Sequence, residues 1–157
     1  MRKIDEIIVH CSDTKPSWMQ DKSVFQKAKE IKRWHVNKNG WSDIGYHLII
    51  DRDGSFCSGR PLEIQGAHVF GHNNDTIGIC LIGGNGSHPD DPPHLHFEAS
   101  QLKALVDKIQ TYHEQFGRLQ ISGHNDYANK ACPGFRVHKF LRDNFIAPEF
   151  ICREVFK

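Results

Sequence analysis

The stretch TIGICLIGG, Thr76 to Gly84, decides the fold. It is a continuous apolar run with β-branched residues and bounding glycines, a pattern typical of a strand in the middle of a sheet. EIIVH, Glu6 to His10, predicts a second buried strand, and LQIS, Leu119 to Ser122, a short last strand that runs towards His124. The first and last predicted strands therefore each lead into a histidine.

Helical periodicity fills the segments between these strands. Apolar residues spaced three to four apart predict a helix from about Asp21 to Val36, with Gly40 as its terminator, and a second from about Glu98 to Phe116. Residues 46–61, YHLIIDRDGSFCSGRP, have the pattern of an antiparallel hairpin. Residues 135–145 predict a short terminal helix. Together these elements predict an α/β fold with a central mixed β-sheet flanked by helices.

Composition excludes several classes of protein. A chain of 157 residues with 38% hydrophobic content suits one compact domain, and a formal net charge of +1 does not suggest nucleic-acid binding. No stretch is long and apolar enough for membrane insertion, and the N-terminus lacks the apolar region of a signal peptide. Five scattered cysteines favour a reduced protein synthesised in the cytoplasm.

A candidate metal site combines the two strand-end histidines, His10 and His124, with Cys132 in the following loop. Open α/β sheets bind ligands at the carboxyl ends of their strands. Two imidazoles and a thiolate are three zinc ligands, and a fourth position left for water is the arrangement of a catalytic site. Cys11 competes with His10, but adjacent residues of a strand point to opposite faces, and the pairing with His124 favours His10.

Spacing alone leaves a plainer alternative for this set. His10 is then a buried histidine with satisfied hydrogen bonds, and Cys132 is a small hydrophobic residue. The sequence contains neither HExxH nor paired C-x-x-C ligands that would decide the matter.

Four blocks in order carry a family resemblance: IIVHCSDT (7–14), RWHVNKNGWSDIGYHLIIDRDGSFCSGRP (33–61), GAHVFGHNNDTIGICLIGG (66–84) and ISGHNDYANKACPGF (121–135). Together they resemble the zinc-dependent N-acetylmuramoyl-L-alanine amidases of the bacteriophage T7 lysozyme type, which are related to the peptidoglycan recognition proteins. The resemblance implies one zinc ion (Zn2+) per chain, held by His10, His124 and Cys132, with Tyr46 and Lys130 as catalytic residues. It also implies a single amidase domain over 1–157, with a motif-bearing core of about 7–142.

The function implied by the resemblance is hydrolysis of the amide bond between N-acetylmuramic acid and L-alanine in peptidoglycan. The protein would then be a phage or prophage endolysin, a bacteriolytic enzyme that degrades the host cell wall. We expect a monomer made in the cytoplasm that reaches the wall through an export factor, such as a holin, which the sequence does not identify. His68 matches a family block beside the cleft, so we expect it to contact the substrate or to support a metal ligand.

Other interpretations of the same residues stay open. Tyr46 could be an aromatic core residue at the start of a strand. A peptidoglycan-binding module without catalysis is a second functional class, although it would be expected to lose the ligand that Cys132 provides. A regulatory module that binds another protein is a third class, because a fold does not determine a function.

Several other polar and aromatic residues are given structural roles. The cluster His88, Asp90, Asp91, His94 and His96 is interpreted as exposed turns, because prolines surround it. Trp34, His35 and Trp41 are expected to pack in the core. His47, next to Tyr46, should point away from the site.

Overall fold

A mixed five-stranded sheet organises the chain, of which the computed structural model describes residues 1–144. The strands are β1 (Glu6–Cys11), β2 (Leu48–Ile50), β3 (Phe56–Ser58), β4 (Thr76–Leu81) and β5 (Gln120–Gly123), in the spatial order β3-β2-β4-β1-β5. The run that starts at Thr76 is the middle strand, as predicted. β1 pairs in parallel with β4 and β5, and β2 pairs in parallel with β4. β2 and β3 form the predicted antiparallel hairpin.

Three α-helices pack on this sheet: α1 (Val24–Asn39), α2 (Ala99–Phe116) and α3 (Val137–Asp143). α1 begins three residues later than predicted, because Ser23 and Gln26 form a capping box in which each side chain bonds the backbone of the other. Gly40 ends α1 in the left-handed conformation, with φ of 70°, as its position predicted. The fold class predicted from the sequence is therefore confirmed.

The two faces of the sheet carry separate hydrophobic clusters. Alternate residues of β1 and β4, including Ile7, Val9, Ile77 and Ile79, pack with α2, α3 and the segments next to them. The smaller cluster joins α1 to the hairpin and includes Val24, Ile31, Ile49 and Cys57. Both strands are buried along their whole length, which explains why most of their residues are apolar.

The remaining positions of β1 and β4 form a polar stripe that leads to the functional site. In the parallel register, Glu6 is opposite Thr76, Ile8 is opposite Gly78 and His10 is opposite Cys80. Because side chains alternate between faces, these residues share the face turned away from Ile7 and Val9. The stripe places His10 at the carboxyl end of β1, as the sequence predicted.

No helix within residues 1–144 is long and apolar enough to cross a membrane.

A buried ion pair joins α1 to the hairpin, since Lys27 Nζ lies 2.8 and 2.9 Å from the two carboxylate oxygens of Asp51. The C-terminal segment APEFICREVFK, whose function the sequence left open, lies outside the described residues together with Cys152.

Candidate metal centre

His10, His124 and Cys132 converge at the carboxyl edge of the sheet. Each offers one ligand atom, and these atoms all lie within 4.8 Å of one another. Within residues 1–144, no other group of three histidine, cysteine or acidic side chains meets this condition. His10 comes from β1 and is only 1% exposed, while His124 follows β5 directly and is half-buried. The structure thus brings together the three residues that the sequence singled out as ligands.

The geometry and chemistry of this group fit a zinc ion. Cys132 Sγ lies 3.8 Å from His10 Nδ1. Zinc–ligand bonds of about 2.0–2.3 Å in a tetrahedron place ligand atoms roughly 3.5 Å apart, so little movement is needed to close the group. Two imidazole nitrogens and a sulfur are ligands that zinc prefers, and a set of three leaves one position for a water or a substrate atom.

Burial keeps both imidazoles in the neutral form that binds metals. It lowers the pKa of His124 to about 4, with a further contribution from the Lys130 ammonium group. Burial also lowers the pKa of His10 well below its usual value, followed by the effects of His68, His124 and Lys130. A hydrogen bond with Cys11, together with burial, raises the pKa of the Cys132 thiol well above its usual value. Metal binding at this site must therefore displace a thiol proton.

The loop that carries Cys132 is held at both ends by Asn125. Its Nδ2 donates to the carbonyl oxygen of Ala131 at 3.3 Å and to that of Phe135 at 3.0 Å. The backbone amide of Cys11 donates to Cys132 Sγ at 3.3 Å. These bonds fix the thiol next to Cys11 at the end of β1. The loop thereby brings Cys132 back to the edge of the sheet where His124, eight residues earlier, also lies.

Tyr46 and Lys130 have different surroundings near the triad. The Tyr46 ring is 5.1 Å from the ring of His10, centroid to centroid, and burial raises the pKa of its hydroxyl well above the usual value. Tyr46 also packs against the smaller hydrophobic cluster, as its plainer interpretation predicted. Lys130 is exposed, and its positive charge acts on both His10 and His124. Their catalytic roles stay predictions.

A groove of about 560 Å3 opens beside the triad. Polar and aromatic side chains share its wall, among them His68, His124, Lys130, Trp41, Phe70 and Tyr127. Phe70 is fully exposed and Trp41 is 36% exposed. The expectation of core packing for Trp41 is therefore wrong: the helix ends at Gly40, and the indole lies beyond it at the groove with one side against His35.

His68 lies between the groove and the metal ligands. Its Nδ1 is 2.8 Å from His10 Nε2, and its Nε2 is 3.2 Å from the Thr76 hydroxyl oxygen. It is therefore in contact with a candidate metal ligand, and a contact with substrate stays a prediction. His47 is buried and structural: its Nδ1 accepts from the Gly78 amide at 3.0 Å, and its Nε2 donates to the Ile64 carbonyl oxygen at 2.9 Å.

The histidine-rich loop after β4 lies apart from the candidate site. His96 Nε2 pairs with Asp91 at 2.7 Å, and Arg136 pairs with Asp90 at 2.9 Å. A second cavity of about 560 Å3 between this loop and α3 contains none of the predicted site residues. His88, Asp90 and His94 are exposed, as the sequence predicted, whereas Asp91 and His96 are half-buried.

Sequence reasoning missed Trp41, Phe70 and Asn125 as parts of the site. A signal for the position of His68, which the sequence analysis did not use, was Gly78: a glycine inside a buried strand often marks the close approach of another group. A Cβ at this position would lie 2.7 Å from the ring of His68. The glycine therefore makes room for the histidine that contacts His10.

Comparison with known proteins identifies relatives of this chain. It is 36% identical to an endolysin of Klebsiella phage KP32, across 91% of the chain and 89% of the relative. It is 37% identical to an endolysin of Escherichia phage T7, across 89% of the chain and 87% of the relative. Among solved structures, bumblebee PGRP-SA superposes with a TM-score of 0.75 at 24% identity, covering 94% of this chain and 86% of the other.

A second solved structure, the N-acetylmuramoyl-L-alanine amidase LysC from Clostridium intestinale, has a TM-score of 0.72 at 21% identity and covers 93% of this chain and 88% of the other. These two superpositions show that the fold is shared. The family model for N-acetylmuramoyl-L-alanine amidases matches residues 1–135, a range that includes His10, His124 and Cys132. The chain belongs to the N-acetylmuramoyl-L-alanine amidase family, Amidase_2.

Proposed function

We propose that this protein is a zinc-dependent amidase that hydrolyses the bond between N-acetylmuramic acid and L-alanine in peptidoglycan. The observation that carries the proposal is the convergence of His10, His124 and Cys132 beside a groove that also contains Lys130. Membership of the amidase family and the similarity to phage endolysins support the same activity.

His10, His124 and Cys132 would hold the metal, and their number leaves a coordination position open for chemistry. A zinc ion bound there supplies a water of lowered pKa and polarises the scissile carbonyl group, so that amide hydrolysis can proceed near neutral pH. The two histidines enter this site as neutral ligands, because burial lowers their pKa values.

Lys130 is proposed to stabilise the negative charge that develops on the carbonyl oxygen. It borders the groove, and its positive charge acts on both histidines of the candidate site, which supports this role. Lys130 is exposed, so this effect depends on the substrate covering the groove; a positive charge next to the oxyanion would then contribute a few kcal/mol, on the order of a 10²–10³-fold change in rate.

Tyr46 is proposed to guide a proton. Its phenol keeps the proton at neutral pH, as an ordinary tyrosine does and more firmly because burial raises the pKa of the hydroxyl, so it can donate a hydrogen bond. It can orient the attacking water or pass a proton to the leaving amine of L-alanine, which must be protonated to depart.

The groove fits a substrate that is both polar and apolar, such as a glycan strand with a stem peptide. Exposed Trp41 and Phe70 offer flat apolar surfaces for sugar rings or side-chain methyl groups. His68 borders the same groove, where a contact with the substrate is proposed in addition to its bond with His10.

In the cell, we propose the role of an endolysin that acts on the wall of a bacterial host. The similarity to phage endolysins over about nine-tenths of the chain supports this role. The assignment of residues 1–157 to one domain, the monomeric state and the need for an export factor stay predictions.

The decisive test is a product assay on bacterial peptidoglycan. New L-alanine amino groups and new reducing sugar ends are counted with purified protein, before and after chelation and after zinc is restored. We expect alanine amino groups that disappear with the chelator and return with zinc. Reducing ends would instead indicate a glycosidase, and binding of peptidoglycan without products would indicate a binding module.

Two cysteine variants separate the metal site from a general need for thiols. Cys132→Ser should lose both bound zinc and activity. Cys57→Ala, which removes a buried thiol in the hairpin, should keep both. An active, metal-free Cys132→Ser protein would contradict the proposed ligand set.

A further inference from the structure

A chain of hydrogen bonds runs from the candidate metal site into the middle strand of the sheet. His10 Nε2 lies 2.8 Å from His68 Nδ1, and His68 Nε2 lies 3.2 Å from Thr76 Oγ1. Thr76 Oγ1 lies 2.7 Å from the carbonyl oxygen of His72. His10, His68 and Thr76 are all buried, so the members of this chain must satisfy one another.

The carbonyl oxygen of His72 is the last group in this series of hydrogen bonds, and it determines which atom donates in each of them. A carbonyl oxygen can only accept, so the single hydroxyl proton of Thr76 is donated to His72. Thr76 Oγ1 must then accept the proton that His68 carries on Nε2. A neutral imidazole carries one proton, and His68 Nδ1 is therefore an acceptor.

The same logic continues to the metal ligand. Because His68 Nδ1 accepts, His10 must carry its proton on Nε2 and donate it to His68. His10 Nδ1 then has a free lone pair, and this is the atom that lies 3.8 Å from Cys132 Sγ. The nitrogen that faces Cys132 is thus the one able to bind a metal.

We propose that Thr76 and His68 are positioning residues that select the tautomer of His10 and so make Nδ1 a preformed metal ligand. This inference rests on the metal role proposed above for His10. Partners that bond the second nitrogen of a ligating histidine orient its ring, and their loss typically costs about 10–100-fold in metal affinity.

The surrounding structure holds the relay rigid. Asn73 Oδ1 accepts from the backbone amides of His68 and Val69, at 2.8 and 2.9 Å, and fixes the segment that presents the ring. Gly78 leaves the space that the His68 ring fills, since a Cβ there would lie 2.7 Å from the ring. Thr76 is the first residue of β4, so the relay is anchored in the sheet.

The first test measures tautomers directly, by 15N NMR of histidine-labelled, metal-free protein at about pH 8, where imidazoles are neutral. We expect both His10 and His68 to carry their proton on Nε2. Thr76→Val removes the acceptor and should release His68 from this tautomer, whereas Thr76→Ser should restore it. A metal-free wild-type protein with the His10 proton on Nδ1 would overturn the relay.

The second test measures zinc affinity by competition with a chelating dye. His68→Leu should weaken zinc binding by about 10–100-fold. Thr76→Val should weaken it by a smaller factor, and Thr76→Ser, which keeps the hydroxyl, should bind zinc as tightly as the wild-type protein. His72→Gln is the matched control: it removes an exposed imidazole from the same segment, keeps the carbonyl acceptor and should leave affinity unchanged. Unchanged affinity in a folded His68→Leu protein would refute the positioning role.

The two tests also separate this inference from the proposed function. A wild-type protein that binds no zinc would refute the metal role, and the NMR spectra alone would then decide whether the relay sets the tautomer. A protein that binds zinc, but whose metal-free form carries the His10 proton on Nδ1, would refute the relay and leave the metal role standing.

Discussion

Lys130 and Cys132 share one short loop, but the structure gives them different surroundings. The Cys132 thiol is fixed by the Cys11 amide, while Lys130 is exposed at the wall of the groove. A thiolate that binds metal must be immobile, and a cation that meets a substrate must be accessible. The two residues are only two positions apart, yet their surroundings agree with the different roles proposed for them.

Replacing Lys130 tests whether its positive charge contributes to catalysis. Lys130→Ala should lower kcat by about 10²–10³-fold, because the developing oxyanion loses the positive charge proposed to stabilise it. Bound zinc, measured by metal analysis, should stay at the wild-type level. Lys139→Ala, which removes an exposed lysine from α3, should leave kcat unchanged. Equal activity of the two variants would show that Lys130 has no catalytic role.

Replacing Tyr46 distinguishes its catalytic interpretation from its packing interpretation. Tyr46→Phe keeps the ring that packs in the smaller cluster and removes only the hydroxyl. We expect kcat to fall by about 10²-fold or more, because the proton donor is lost, with little change in thermal stability. Tyr112→Phe in α2 is the control for loss of a buried hydroxyl. Wild-type activity of Tyr46→Phe would leave only the packing role.

His47 should make the metal-free protein sensitive to acid. Burial lowers its pKa to about 4, since protonation would disrupt the bond that Nδ1 accepts from the Gly78 amide. A pKa lower in the folded than in the unfolded state means that stability is full above about pH 6.5 and declines as the pH falls towards about 4. The complete loss from this residue would be about 3 kcal/mol.

Urea unfolding of metal-free protein at a series of pH values measures this effect. His47→Asn should be less stable at neutral pH and should show a shallower decline between about pH 6.5 and 4. His94→Asn, in the exposed loop, should follow the wild-type curve. A wild-type slope in His47→Asn would assign the acid sensitivity to other groups.

At the scale of elements, β4 does more than fill the middle of the sheet. Its odd-numbered residues Ile77, Ile79 and Leu81 belong to the larger hydrophobic cluster, while Thr76, Gly78 and Cys80 lie in register with the polar stripe of β1. The strand is therefore both the centre of the core and the support beneath His68. Its one glycine allows the second role.

Gly78→Ala should disturb the site through this strand. The added Cβ would lie 2.7 Å from the ring of His68, so we expect the ring to leave the position in which it bonds His10. We expect a loss of about 1–3 kcal/mol in the free energy of unfolding, together with weaker zinc binding. Urea unfolding of the metal-free protein and zinc titration measure the two effects separately.

Ile79→Val in the same strand is the control for Gly78→Ala. It removes one buried methylene from the core and should cost about 0.5–1.5 kcal/mol without changing zinc affinity. If Gly78→Ala loses stability but keeps wild-type affinity for zinc, the close packing of His68 on β4 does not support the metal site.

The elements were predictable because their signals are local. Apolar runs in β1 and β4, the periodicity of α1 and the glycine after it are all readable within short windows of sequence. The positions of Trp41 and Asn125 were not readable in this way. Apolar composition placed Trp41 in the core, whereas the end of α1 places it at the groove. The bonds of Asn125 depend on how the next loop folds back.

At the scale of the whole molecule, the candidate ligand set was also only partly predictable from local sequence. Strand-end reasoning brought His10 and His124 to one edge of the sheet, but spacing alone could not exclude a structural histidine and a buried cysteine. The family resemblance supplied what spacing could not, and the structure then brought the three ligand atoms together. The hydrogen bonds that support them join residues far apart in sequence and needed the folded chain to be seen.

Because the ligands come from opposite ends of the described chain, zinc should stabilise the molecule as a whole. His10 lies on β1, the second strand from one edge of the sheet, whereas His124 and Cys132 follow the edge strand β5. Only the folded chain brings these three residues together. A ligand that binds only the folded state at 100 times its Kd adds about 2.7 kcal/mol, or roughly 5–10 °C in Tm for a chain of this size. Calorimetry should therefore show a Tm that rises with zinc concentration. Cys132→Ser should abolish the rise and Cys57→Ala should keep it; a Tm independent of zinc in the wild-type protein would mean that these three residues do not form a metal site.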